Sequence, residues 1–332
     1  MIWIGTYAAK GGAGLHSLES GDRSLLLGPA EGRIVNASFG VWSAERGIAY
    51  FVDERDEGRV SAWGRQNGRW STMGDVESGG SAPCYLSLSP DATRLAAANY
   101  GDGTLALIDL DPVTGAVKAI CDRFQPQGRG ADPDRQDGPH AHCALFAEDG
   151  RAIYYVDLGL DRVFRHRLDD QGIADTQIAF EAPAGYGPRH LLFHPDGAHA
   201  LLLCELAAEL LLLRRDGLGF QLIEAVPTAP ERSEAKNLGG HLAIDAAGAV
   251  WVSNRGHNSL VEFRLENDRL VRQRWFATGS ASPRHFLFDG STVLIAHEEG
   301  ENVTRLDLSG RTEASRQAVA VPGAAFLIDA AV

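Results

Sequence analysis

The stretch GPRHLLFHPDGAHALLLCEL, Gly187 to Leu206, decides how this chain folds. A Gly-Pro pair opens it, an apolar segment follows, Asp196-Gly197 interrupts, and a second apolar run ends on Glu205. Two short apolar runs around an Asp-Gly pair read as a β-hairpin, because these residues accept the positive φ of a tight turn. The pattern returns along the chain. It reads NASFGVWSAERGIAYFVDE from Asn36, APCYLSLSPDATRLAAANY from Ala82, HAHCALFAEDGRAIYYVDL from His140, GGHLAIDAAGAVWVSNR from Gly239 and SPRHFLFDGSTVLIAHE from Ser282.

Successive copies start 43 to 58 residues apart, close to the ~40–50 residues of a four-stranded propeller blade. A third short strand follows each polar pair, as in GRVSAWG from Gly58, GTLALIDL from Gly103, DRVFRHRL from Asp161 and NSLVEFRL from Asn258. A seventh copy requires the C-terminal VPGAAFLIDAAV to join the N-terminal IWIGTY and GLHSL in one blade, which leaves no free sheet edge. The expected fold is therefore all-β: a single domain over residues 1–332, a seven-bladed β-propeller of four-stranded antiparallel blades closed by its two ends. Thirty-eight glycines against two methionines agree with many tight turns and few helices. Insertions at Phe124 to Pro139 and Pro227 to Gly239 read as long loops, either covers of a site or variable surface excursions.

A net charge of -13 disfavours nucleic acid and anionic membranes as partners and leaves a small molecule. Ala200 to Leu213 is the most apolar run, but Glu205 and Glu209 interrupt it and it is too short to span a bilayer. The N-terminus reads as a strand and not as a secretion signal. Cys84, Cys121, Cys143 and Cys204 form no CxxC pair, which fits reduced thiols in the cytoplasm and not zinc ligation. The expected state is a monomer or weak homodimer without cofactor or metal.

In a hairpin the start of one strand and the end of the next share an edge. Folding the copies about their turns sets Arg189 across from Glu205, His142 across from Asp157 and Arg284 across from His297, with Arg255 at the matching strand end. His142, Arg189, Glu205, Arg255, Arg284 and His297 then converge on one end of the channel. Arginine near Glu205 favours its ionised form and offers bidentate donors to an anionic substrate, and histidine exchanges protons near neutral pH. His140 alternates with His142, a spacing that also occurs in metal sites, yet no carboxylates stand at ligand spacing. His190 and His285 alternate away from the arginines and read as packing or supporting residues. Cys84 shares the register of His142 and reads as a small buried lining residue. No Gly-x-Ser-x-Gly, His-Glu-x-x-His or Gly-x-Gly-x-x-Gly motif is present, which removes serine-hydrolase, zinc-protease and dinucleotide readings.

These segments resemble the seven-bladed propeller lactonases, a family that includes a bacterial type of 6-phosphogluconolactonase and a fungal carboxy-cis,cis-muconate cyclase. The resemblance rests on IGTY near the start, GPHAH at Gly138 to His142, GPRHLLFHPDG from Gly187, SNRGHNSLVEF from Ser253 and PRHFLFD from Pro283. It implies a channel-mouth site of His142, Arg189, Glu205 and Arg255, and a reaction that opens or closes a lactone ring. No Lys-rich cluster accompanies Arg189, Arg255 and Arg284 to mark a phosphate. The expected function is metal-independent hydrolysis of a sugar lactone, with His142 or Glu205 as the base, His142 being favoured. Arg284, His297, His140 and Asp157 are the expected substrate-binding residues. The alternatives are a lactonising or isomerising enzyme on a dicarboxylic muconate-type substrate, and a noncatalytic binding platform.

Overall fold

The computed structural model describes all residues except 22–23, 67, 230–235, 310–315 and 331–332. Residues 230–235 of the insertion at 227–239 thus lie outside the described residues. Seven four-stranded antiparallel sheets account for every strand. Blades one to six span residues 40–77, 83–124, 141–181, 188–227, 238–277 and 283–320. The closing blade has Ala324–Asp329 innermost, then Ile2–Thr6, Leu15–Gly21 and Ser24–Glu31. Ile4 pairs with Leu327, so the two chain ends close the ring as the repeat required.

Burial explains why each blade has its sequence pattern. Blade four's second strand, His199–Cys204, is buried along its whole length, because neighbouring blades cover both its faces. Its outermost counterpart in blade one, Arg69–Glu77, is mostly exposed and correspondingly polar. The apolar side chains form clusters between adjacent blades. One joins Ile48, Tyr50, Leu86 and Leu95 of blades one and two, and another joins Ile4, Leu18, Leu294 and Leu327 of the closing blade and blade six. The inner-hairpin turns lie together at the other end of the channel. They use glycine at positive φ, at Gly150 (68°), Gly197 (73°) and Gly248 (78°), and blade two places Ala92 there at 54°.

The inner strands share one irregularity that positions the site. Pro83 pairs with Asn99 and Tyr85 with Ala98, which leaves Cys84 unpaired. The same slip leaves out His142 in blade three, Arg189 in blade four and Arg284 in blade six. A β-bulge bends its strand and re-aims the extra side chain. Here the bulged side chains meet: Arg189 bonds His142, whose ring lies beside Cys84.

Candidate active site at the channel mouth

Two sequence positions per blade build the mouth: the bulged residue of the inner strand, and the residue after the paired end of the second strand. Cys204 pairs with Pro188, so Glu205 is the next residue out. The same count gives Tyr100 and Glu298 after Asn99 and His297, while in blade five Arg255 is itself the last paired residue, opposite Leu238.

Glu205 is the centre of this mouth. Its Oε2 accepts from Arg189 Nη1 at 2.9 Å and lies 2.7 Å from Arg255 Nη2, while Oε1 accepts from Arg135 Nη2 at 2.6 Å. His142 Nε2 lies 3.7 Å from the same carboxylate. Glu205 is only 2% exposed, so burial alone would raise its pKa. Arg255, Arg189 and Arg135 outweigh that and hold the carboxyl well below its usual range. Arg189 also donates from Nε to the Gly240 carbonyl at 2.5 Å, and Arg255 donates to the Gly239 carbonyl at 3.0 Å. A side chain at Gly240 would place Cβ 2.4 Å from Ser253 Oγ and 2.7 Å from the Pro283 carbonyl. Blade five therefore contributes bare backbone where its neighbours contribute side chains.

His142 is buried, and burial together with the adjacent Arg189 pushes its pKa well below the ordinary value, so the ring is neutral. Arg189 Nη1 donates to its Nε2, which puts the ring proton on Nδ1, 3.6 Å from Cys84 Sγ. Burial drives the Cys84 thiol far above its usual range, mainly through desolvation. It therefore serves as a neutral neighbour of the ring and not as a nucleophile.

The other side of the mouth is built around Arg284. Its Nη1 donates to Glu298 Oε2 at 3.1 Å, its Nη2 lies 3.8 Å from Glu54, and its guanidinium sits 5.3 Å from the Tyr7 ring centre. The Tyr7 hydroxyl donates to Glu54 at 2.7 Å and Lys10 donates to Glu298 at 2.8 Å. Lys10, Arg135, Arg189, Arg255 and Arg284 thus face Glu54, Glu205 and Glu298. The mouth carries a local excess of positive charge on a chain whose net charge is -13.

One residue deeper, aromatic rings and histidines floor the channel. His190 meets His142, Tyr85 and His241 at ring-centre distances of 5.8, 5.6 and 5.3 Å, and His241 meets His285 at 3.9 Å. Phe39 and Phe326 complete the layer against His285 and each other. Burial lowers all three histidines, His241 to about 3. His190 and His285, expected as packing or supporting residues, pack against the other rings of this layer.

The expected catalytic quartet of His142, Arg189, Glu205 and Arg255 lies in one cluster, joined by Arg284 across the mouth. Two expected binding residues do not. Asp157 pairs with Ala141 instead of His142, and its buried carboxylate accepts from the N–H groups of His140 and Leu160 and from Tyr155 Oη. His297 pairs with Pro283 and bonds Thr304 Oγ1 at 2.9 Å inside blade six. The bulges shift the facing position by one residue, so both brace their blades. His140 sits at the rim, with Nδ1 on the Tyr100 carbonyl and its ring stacked on Tyr100 at 4.6 Å, and touches none of the quartet. Arg135, Tyr100, Glu54, Glu298, Tyr7 and Lys10 were missed. The register of Glu205 and Arg255, read across all copies, would have found Glu54, Tyr100 and Glu298.

Among the described residues, no group of three or more His, Cys, Asp or Glu side chains is arranged to hold a metal ion. No helix among them is long and apolar enough to cross a membrane.

Comparison with known proteins agrees with this architecture. The chain is 25% identical over 335 residues to a 6-phosphogluconolactonase of Bacillus subtilis, covering 96% of this chain and 95% of that one. A solved structure of a Lactobacillus plantarum protein superposes with a TM-score of 0.88 at 28% identity, covering 98% of each chain. The periplasmic gluconolactonase of Pseudomonas aeruginosa shares the fold with a TM-score of 0.89 at 24% identity, again over 98% of each chain. Residues 1–327 match the family described as Lactonase, 7-bladed beta-propeller, and the chain belongs to that family.

Proposed function

We propose that this protein hydrolyses a sugar lactone at the channel mouth, without a metal ion. The observation that carries the reading is a neutral, buried His142 beside a carboxylate, Glu205, held ionised by three guanidinium groups. The relatives' names supply the substrate class, one of them acting on a phosphorylated lactone and another on gluconolactone by name.

In this mechanism substrate draws Arg189 off His142 Nε2, and that nitrogen takes a proton from water as its oxygen attacks the lactone carbonyl. Arg189 and Arg255 stabilise the oxyanion that forms. Arg255 Nε is buried and has no partner among the described residues, so it supplies a donor for that oxygen. Collapse of the tetrahedral intermediate breaks the ring C–O bond, and the imidazolium returns its proton to the departing ring oxygen. Glu205 aligns the guanidiniums and stabilises the imidazolium. Its own basicity is suppressed by the same cations, which is why His142 is the better base. A divalent cation at Glu205 would meet three guanidiniums already bound there.

The deciding assay measures opening of phosphorylated and unphosphorylated gluconolactone above the spontaneous rate, with and without chelator. His142→Ala is expected to lose turnover by at least about a hundredfold while melting cooperatively; near-normal turnover removes His142 from the role. Because His142 is depressed, activity is expected to be flat from about pH 8 to about 6.5 and to fall only below its ordinary range. An acid limb centred at or above about 6.5 would contradict the assignment.

The same arginines suit two carboxylates, which favours as a second reading a lactonising or isomerising enzyme on a dicarboxylic muconate-type substrate. Turnover of that substrate and of no sugar lactone would select it. A binding platform calls for an apolar rim. The exposed apolar side chains Ile178, Leu222, Val271 and Trp275 instead lie on outermost strands, away from the charged mouth. Four free cysteines favour a reducing compartment, and we place the protein in the cytoplasm.

A further inference from the structure

The insertion before blade three presents Arg135 to Glu205, and its anchoring sets this arginine apart from the other two. Gln136, the next residue, is fully buried. Its Nε2 donates to the Leu158 carbonyl at 2.8 Å, and its Oε1 accepts from the N–H groups of Ala131 and Asp132 at 2.9 and 3.0 Å. Its backbone N–H and carbonyl pair with Asp132 and Gly130, and Arg135 N–H donates to Asp132 Oδ1 at 3.1 Å. A Cβ at Gly130 would lie 2.5 Å from the Gln136 amide and 2.7 Å from the Gly159 carbonyl, so the loop closes tightly on blade three. The loop is a preorganised mount, and Arg135 is what it mounts.

A guanidinium has five N–H donors. Arg189 uses Nε on Gly240 and Nη1 on Glu205 and His142, and Arg255 uses Nη2 on Gly239 and Glu205. Arg135, like Arg255, engages only Nη2, with Glu205 and, at 3.1 Å, Tyr100 Oη, and it differs from Arg255 in its exposure. Its Nε and Nη1 make no hydrogen bond among the described residues. Its side chain is 29% exposed, against 4% for Arg189 and 12% for Arg255. Arg135 thus keeps its Nε–H and Nη1–H donors free on a partly solvated guanidinium, and these can bond the oxygens of a phosphate or carboxylate while Nη2 stays on Glu205.

We propose that Arg135 is a specificity-determining residue that binds a second anionic group, phosphate or carboxylate, on the substrate's tail, while Arg189 and Arg255 serve the lactone carbonyl. The proposal rests on the lactonase reading for its substrate and on the free, partly solvated Nε–H and Nη1–H donors for its site.

The test measures calorimetric binding of 6-phosphogluconate, glucarate and gluconate to the wild-type protein, Arg135→Met and Arg135→Lys, with thermal melts confirming that each variant folds. The wild type is expected to bind at least one of the two dianions at least tenfold more tightly than gluconate. Arg135→Met should erase most of that preference, and the dianion affected identifies phosphate or carboxylate as the group read. Arg135→Lys, which keeps the charge and loses the separate Nε–H and Nη1–H donors, should restore only part of it and stands in if the Met variant does not fold. Equal weakening of all three ligands, or a wild type that does not discriminate, overturns the proposal. Turnover of the lactones is measured separately. A protein that opens none while keeping its Arg135-dependent preference refutes the reaction and leaves the anion site standing.

Discussion

Glu205 is a buried carboxylate that pairs with three guanidiniums, those of Arg189, Arg255 and the partly exposed Arg135. Removing one member of such a buried network leaves the others desolvated and unpaired, which typically costs about 3–5 kcal/mol. Glu205→Gln is therefore expected to lower the free energy of unfolding in urea by about 3 kcal/mol and to lose most turnover, although Gln is nearly isosteric. An unchanged denaturation midpoint would show that the arginines are held by their bonds to Gly239 and Gly240 alone. That alternative is concrete, because both backbone carbonyls are in place. Hairpin counting set Glu205 beside Arg189 and Arg255, which the structure brings together, but it missed Arg135 and placed Asp157 and His297 one residue out of register. A bulge of one residue leaves no mark in an apolar-polar pattern, and only the pairing of Pro283 with His297 exposes it.

At the scale of strands, the closing blade joins the two ends of the chain by side-by-side pairing, so its packing holds the ring shut. Leu327 is 1% exposed and packs with Ile4, Leu294 and Val321 across the joint. Leu327→Ala is expected to destabilise by about 2–5 kcal/mol. Leu222→Ala, on an outermost strand and 44% exposed, should stay within about 0.5 kcal/mol. Chemical denaturation of both variants checks the contrast, and equal effects would show that closure adds nothing beyond ordinary burial. The closing blade was legible from the terminal strands VPGAAFLIDAAV and IWIGTY, since a repeat with leftover halves at its two ends has one way to complete itself. The contribution of the insertion loop was not. Its Gly, Pro, Asp and Arg content says loop, while the choice of Arg135 as the residue delivered depends on Gln136 being buried against Leu158.

The whole molecule couples its charge and its histidines to pH. His142, His190 and His285 are held well below their ordinary value, His241 is lowered to about 3, and His166 and His297 to about 4, in each case chiefly by burial. The unfolded chain binds protons at these sites near pH 6.5 and the native state does not. Stability is therefore full above about pH 6.5 and declines as pH falls toward the native values, each histidine contributing up to about 1.4 kcal/mol per pH unit. Urea midpoints measured between pH 7.5 and 5 should fall steeply. A midpoint constant over that range would mean that the channel floor is hydrated and its histidines titrate normally.

Sequence by itself determined the repeat, the seven blades, the closure and the choice of His142, Arg189 and Arg255 as neighbours of Glu205. Each of these depends on short-range apolar alternation and on turn chemistry that recurs in every copy. Tertiary structure alone decided which residues face the channel, because a bulge re-aims a side chain without altering the pattern that hides it. It also decided that His190, His241 and His285 share one floor and that Arg135 reaches Glu205 from seventy positions away in sequence. Such contacts are set by how closed blades and a pinned loop meet in space, and no local pattern encodes that meeting.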